Sequence, residues 1–105
     1  MRLAAPTLPE IEIKAPPEQR TELEPLYRVV IHNDDVTPYD FVILVLRTVF
    51  QLPAPDAEAV TWTAHTTGAA VVMVLPLEEA KHRVGKAHQA ARALGYPLTL
   101  TIEPE

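Results

Sequence analysis

The chain has no cysteine. That excludes disulfides, thiolate zinc sites and cysteine nucleophiles together, and it accords with a reducing compartment. Positive charge is also short: 9 Lys and Arg stand against 14 Asp and Glu, for a formal net charge of -5. Nucleic-acid binders carry a basic patch or stripe, so no nucleic-acid partner is expected. No apolar run approaches the ~20 residues that span a bilayer, so no membrane partner is expected either. Pro6, Pro9 and Glu10 follow Arg2 where a signal peptide would need a sustained apolar stretch, and a cytoplasmic protein is the expectation. Glycine is scarce, at 3 residues, and none sits in a phosphate-binding loop. Neither an HExxH spacing nor a nucleophile motif is present, which weighs against hydrolytic chemistry.

What is there suffices for one small domain. With 48% hydrophobic residues in 105, the chain can bury a modest core without help from metal or disulfide. Residues 1–26 stand apart, because Pro6, Pro9, Pro16, Pro17 and Pro25 are interspersed with glutamates. Such a mix breaks helices and buries little, and predicts a flexible N-terminal extension ahead of a core domain over 27–105.

From Tyr27 the pattern alternates, with Tyr27, Val29 and Ile31 on one face and Arg28, Val30 and His32 on the other, as in a strand. Asn33-Asp34-Asp35 then favours a turn. Thr37 reads as a helix N-cap, Pro38 as the first helical residue and Asp40 as the acidic partner three positions after the cap. The helix should run to about Phe50 with Phe41, Leu44, Val45 and Val49 facing the core, and Leu52-Pro53 should end it. A second helix is predicted over 56–65, closed by Gly68, and a buried strand over Ala69–Leu75. Pro76 opens a third helix whose Leu77, Ala80, Val84, Ala87, Ala91 and Leu94 recur at spacings of three and four, with Gly95 as the stop. The last strand sets Leu98, Leu100 and Ile102 against Thr99, Thr101 and Glu103. The result is a single α/β (α+β) domain of order βααβαβ, with a three-stranded antiparallel sheet and three helices on one side.

The chemistry concentrates in the first turn. Asn33, Asp34 and Asp35 offer a carbonyl oxygen and two carboxylates, and a neutral His65 adds a ring nitrogen. Three convergent acceptors saturate a primary ammonium, so a peptide α-amino group or a lysine tip fits this cluster. An ordinary strand-to-helix turn, capping its own amides, is the plainer reading. A third reading is a small metal-dependent hydrolase using His32, Asp35 and His65, since imidazole and carboxylate suit zinc or manganese. Tyr39 and Trp62 read as packing residues. Lys81-His82-Arg83 reads as a solvated helix face or a docking surface.

The residues Tyr27-x-Val29-x-x-x-Asn33-Asp34-Asp35-x-Thr37-Pro38-x-x-Phe41-Val42, His65 ahead of Gly68, Leu77-Glu78-x-Ala80 and Pro97-Leu98 closely resemble the ClpS family, the adaptors of the ClpAP or ClpCP protease. The resemblance covers residues 27–105 and implies a monomeric adaptor, not an enzyme, needing no cofactor or metal. It implies binding of N-degron proteins and peptides and of the N-terminal domain of a ClpA- or ClpC-type AAA+ unfoldase. By position, Asn33, Asp34, Asp35 and His65 would belong to the α-amino site, with Asp34 shaping or charging the loop. Ile31, Thr37, Tyr39, Val42, Thr61, Ala64 and Leu98 would form the pocket for a bulky first residue (Leu, Phe, Tyr or Trp), and Glu78 and Arg83 would face the unfoldase. Tyr39 and Thr61 stand where the family often carries Met, which bears on the ranking of first residues. A generic protein-interaction domain, like the ribosomal stalk protein's C-terminal domain, is the remaining alternative.

Overall fold

A computed structural model describes residues 24–105. The elements are β1 (Leu26–His32), α1 (Tyr39–Thr48), α2 (Ala54–Thr67), β2 (Ala69–Pro76), α3 (Leu77–Ala93) and β3 (Thr99–Pro104). The extension expected over 1–26 falls almost wholly outside the described residues. None of the described helices is long and apolar enough to cross a membrane.

The sheet is antiparallel with β1 in the centre, in the order β2-β1-β3. Val29 and Ile31 of β1, Ala70 and Val72 of β2 and Leu100 of β3 are buried against helix residues such as Val45, Leu46, Ala57, Ala80, Val84 and Ala87. Small alanines on α3 let the helix lie close to the sheet. Burying a side chain such as Ile31, Leu46 or Phe50 contributes about 1.5–3 kcal/mol each. A register shift between Val29 and Val30 leaves an extra residue in β2.

The expected architecture holds, while several local expectations need correcting. Strand β2 is not buried throughout: Val71 and Val74 are exposed, because β2 is an edge strand and no described element covers its outer side. On α1 the buried stripe is rotated, so that Val45 and Leu46 are buried and Leu44 is 55% exposed. Leu94 is 61% exposed because it lies at the α3 C-cap, where the chain has left the helix. Helix α1 ends at Thr48, and Gln51 adopts a left-handed φ of 59° so that the Leu52 amide can donate to Leu46 O at 3.1 Å. Helix α2 is longer than expected at both ends. Pro55 fits its first turn, where the missing amide has no partner to lose, and Gly68, at φ 103°, closes it as anticipated.

The start of α1 also differs. Pro38, not Thr37, holds the cap position, with no side-chain cap bond, and its carbonyl accepts from the Phe41 and Val42 amides at 3.1 and 3.2 Å. Thr37 is drawn away from capping by Asp34, which sets the geometry of the loop.

Candidate functional site

The loop between β1 and α1 is built around one carboxylate. Asp34 Oδ1 accepts from the Val36 amide at 2.8 Å and the Thr37 amide at 2.7 Å, while Oδ2 accepts from the Thr37 hydroxyl at 2.8 Å. This is an Asx turn closed by a side-chain bond. Desolvation on its own would raise the Asp34 pKa. The amides of Thr37 and Val36, the Thr37 hydroxyl and the Arg92 charge outweigh it and hold the carboxyl below its ordinary range. The base of the loop is tied to the end of α2 by the Asn33 amide, which donates to Gly68 O at 2.9 Å. That bond links the Asn-Asp-Asp turn to the helix end that carries His65.

Next to this loop lies a cavity of about 240 Å³, lined by Ile31, His32, Asn33, Asp34, Asp35, Thr37, Tyr39, Val42, Thr61, Ala64, His65 and Leu98. Every residue assigned from sequence to the amine site or the pocket is on that lining. The apolar part comes from Ile31, Ala64 and Leu98, all buried, and from half-buried Val42. The polar part comes from Asn33, Asp35 and His65, which are exposed. Among the described residues, Asp34 engages both carboxylate oxygens within its own loop, whereas no side-chain hydrogen bond or ion pair engages Asp35 or His65. The His65 ring is instead held by aromatic neighbours. Tyr39 meets it edge to face at a centroid distance of 5.8 Å, and Trp62 lies at 6.0 Å, tilted by 39°.

Thr61 is buried, and its hydroxyl donates to Ala57 O at 2.7 Å within α2. Its proton is thus engaged away from the cavity, and the side chain offers an arriving group its methyl or an acceptor lone pair. Trp62 corrects an expectation: it is 59% exposed and not a core residue.

The described geometry lends the metal reading no support. His32 directs Nε2 to Thr101 Oγ1 at 2.8 Å. The described residues contain no group of three or more His, Cys, Asp or Glu side chains placed to hold a metal ion, so His32, Asp35 and His65 do not make a ligand set.

Two residues that support the site went unassigned in the sequence. Arg92 Nη1 donates to Tyr96 O at 2.8 Å and to Leu98 O at 2.9 Å, fixing the turn that delivers Leu98 to the cavity. His88 Nε2 accepts from the Leu100 amide at 2.9 Å and ties α3 to the start of β3. A basic residue in the last helical turn, followed by Gly95 and Pro97, is the signal that points to Arg92. His88 carries no comparable signal, since its acceptor role depends on a strand that is adjacent in space alone.

Glu78 and Arg83 lie apart from the cavity, on α3. Glu78 is 3.6 Å from Lys81 Nζ. Arg83 Nε donates to Glu79 Oε2 at 2.8 Å, and its Nη1 reaches Val49 O at 3.3 Å, just beyond the end of α1.

Residues 22–101 match the family model described as ATP-dependent Clp protease adaptor protein ClpS. ClpS 2 of Mesorhizobium japonicum is 40% identical over 100 residues, covering 93% of this chain and 99% of that protein. ClpS 1 of Bradyrhizobium diazoefficiens is 41% identical over 86 residues, covering 82% and 85%. The structure of Agrobacterium tumefaciens ClpS2 bound to L-phenylalaninamide superposes with a TM-score of 0.75 at 39% identity, covering 78% of this chain and 99% of that one. The same three helices and antiparallel sheet, with the loop and cavity they frame, therefore sit in a chain that belongs to the ClpS family of ATP-dependent Clp protease adaptors.

Proposed function

We propose that this chain binds the free α-amino group and bulky hydrophobic first residue of N-degron substrates and delivers them to a ClpA- or ClpC-type AAA+ unfoldase, acting as a monomer in the cytoplasm. The observation that carries the reading is the division of labour in the cavity: exposed acceptors with no side-chain partner among the described residues on one side, buried apolar walls on the other. Asn33, Asp35 and His65 receive the three ammonium hydrogens, and Asp34 keeps the loop in the shape that presents them. Ile31, Thr37, Tyr39, Val42, Thr61, Ala64 and Leu98 surround the side chain. At about 240 Å³ the cavity falls just under the ~300 Å³ lower bound of small-molecule clefts, which suits one amino-acid side chain. The relative from Agrobacterium tumefaciens, bound to L-phenylalaninamide, supports this choice of ligand. Glu78 and Arg83 meet the unfoldase on a face separate from the cavity, leaving both partners room to bind at once.

The decisive measurement is fluorescence anisotropy with two labelled peptides that begin with Phe and differ in N-terminal acetylation alone. Acetylation removes the cation and two of its three donors. Charge-assisted bonds are worth about 1.5–3 kcal/mol each, so affinity should fall at least about 100-fold. Equal affinity for the two peptides would refute the amine clasp.

A further inference from the structure

Beside the cavity, and sharing Tyr39 with it, an open groove is lined by Tyr39, Pro55, Glu58, Ala59 and Trp62. Its wall is unusual for a small domain, because a large indole stands 59% exposed. The indole is nevertheless positioned, since the His65 ring lies against it at 6.0 Å and Tyr39 braces the same imidazole at 5.8 Å. Tyr39 thus borders both spaces, and His65 joins the cavity to the groove's aromatic wall.

We propose that this groove is a second subsite, taking a planar cationic side chain, that of arginine, from the residue that follows the first residue of the bound chain. The inference rests on the reading that the first residue fills the cavity. An extended chain advances at most about 3.6 Å per residue, so a second side chain starts within reach of a ring 6.0 Å from His65. An indole face attracts a cation that comes within about 6 Å, and the effect is strongest for tryptophan. Guanidinium can lie flat on that face while its edge donates to the Glu58 carboxylate, a pairing that a compact, strongly hydrated ammonium makes less well. Apolar Pro55 and Ala59 accommodate the aliphatic stem of such a side chain.

The test uses three free-amine peptides identical except at the second position: Phe-Arg, Phe-Lys and Phe-Ser. Trp62 is the single tryptophan of the chain, so its emission reports on the groove directly. In the wild type, Phe-Arg should bind about fivefold more tightly than Phe-Ser, with Phe-Lys between them, and should change Trp62 emission most. The readout in the variants is the Arg-to-Ser affinity ratio, because removing the indole also removes a neighbour of His65. Trp62→Ala should bring that ratio close to one, and Trp62→Phe should restore part of it. A wild-type ratio near one, or a ratio undiminished in Trp62→Ala, overturns the subsite. If all three peptides bind equally, the second subsite fails and the adaptor reading stands. If none binds, the adaptor reading fails and takes the subsite with it.

Discussion

The loop over residues 33–37 and the exposed side of α3 both carry charge at the surface, and they use it in opposite ways. On α3 the charges satisfy one another along the helix: Glu78 with Lys81, and Glu79 with Arg83. Such pairs at i,i+3 and i,i+4 contribute tenths of a kcal/mol and leave little unmet demand for a partner. In the loop, two adjacent aspartates divide the work. Asp34 turns inward and is saturated by amides and a hydroxyl, whereas Asp35 is left without a described partner at the cavity mouth. A surface that neutralises itself suits a broad, adjustable contact. A carboxylate left unpaired beside one that locks its loop suits recognition of a single small cation.

The largest effect should come from removing the unpaired member of the pair. Asp35→Asn keeps the shape and an acceptor oxygen but loses the charge, and should weaken a Phe-initiated peptide about 10- to 100-fold while leaving the thermal melt unchanged. Titration of the variant beside its melting curve checks both halves. Asp34→Ala should invert the pattern. Losing three hydrogen bonds to the loop costs about 1–2 kcal/mol of stability, as for the loss of a strong cap, and binding should decline through the disordered loop. Chemical denaturation measures this. Should Asp34→Ala leave stability intact, the division between the two aspartates would collapse. The sign with pH is also determined: the Asp34 carboxyl is held below its ordinary pKa, so its stabilisation is present above the unfolded value and disappears as pH falls through the folded one.

How far these features were legible depends on how local their causes are. The order βααβαβ could be read because each element carries its own periodicity and its own stop, Gly68 and Gly95 among them. The acceptor cluster could be read because Asn33, Asp34 and Asp35 are consecutive. Joining them to His65 rests on counting acceptors for an ammonium and on the family resemblance, since the Asn33–Gly68 bond that unites the two segments leaves no trace in composition. The split between Asp34 and Asp35 was only partly visible, because two equal side chains in one turn differ only in where the backbone points them. Thr37 resembles a cap in the sequence and is not one for the same reason: its hydroxyl has two competing partners, and the choice rests on the loop's three-dimensional closure. Leu44, Leu94 and Trp62 are exposed although their apolar character suggested burial, as hydrophobicity alone does not say which part of a rotated helix face meets the sheet.

A smaller effect belongs to the two histidines, which repeat the contrast of the two aspartates. His65 has aromatic neighbours and no described hydrogen-bond partner, whereas His88 accepts from the Leu100 amide. Desolvation, and then the Arg92 charge, push the His88 pKa below its ordinary 6.5. The unfolded chain therefore takes up the proton first. Stability is fully present above about pH 6.5 and declines as pH falls towards the folded value, because the native state must either give up its bond to Leu100 or resist protonation. Melting curves at pH 7.5 and 5.5 should show a drop that His88→Gln, whose side-chain oxygen can still accept from that amide, reduces.

The smallest effect tests the other half of the comparison, the self-neutralised helix. Glu78 has a side chain 86% exposed, and its pair with Lys81 spans 3.6 Å, so Glu78→Ala should change stability by less than about 0.5 kcal/mol. Arg83 differs although it sits on the same helix: its side chain is 23% exposed, and it bridges Glu79 to Val49 O beyond the end of α1. Arg83→Ala should therefore cost about 0.5–1.5 kcal/mol, through lost packing and a lost interhelical bond. Both variants should bind a Phe-initiated peptide as the wild type does, since neither residue lines the cavity. If α3 is the unfoldase-facing surface, Glu78→Ala should slow degradation of an N-degron substrate by a reconstituted Clp protease without any change in melting temperature. A defect seen with Arg83→Ala alone, and scaling with its loss of stability, would instead make Arg83 a strut between α1 and α3 and remove it from the interface.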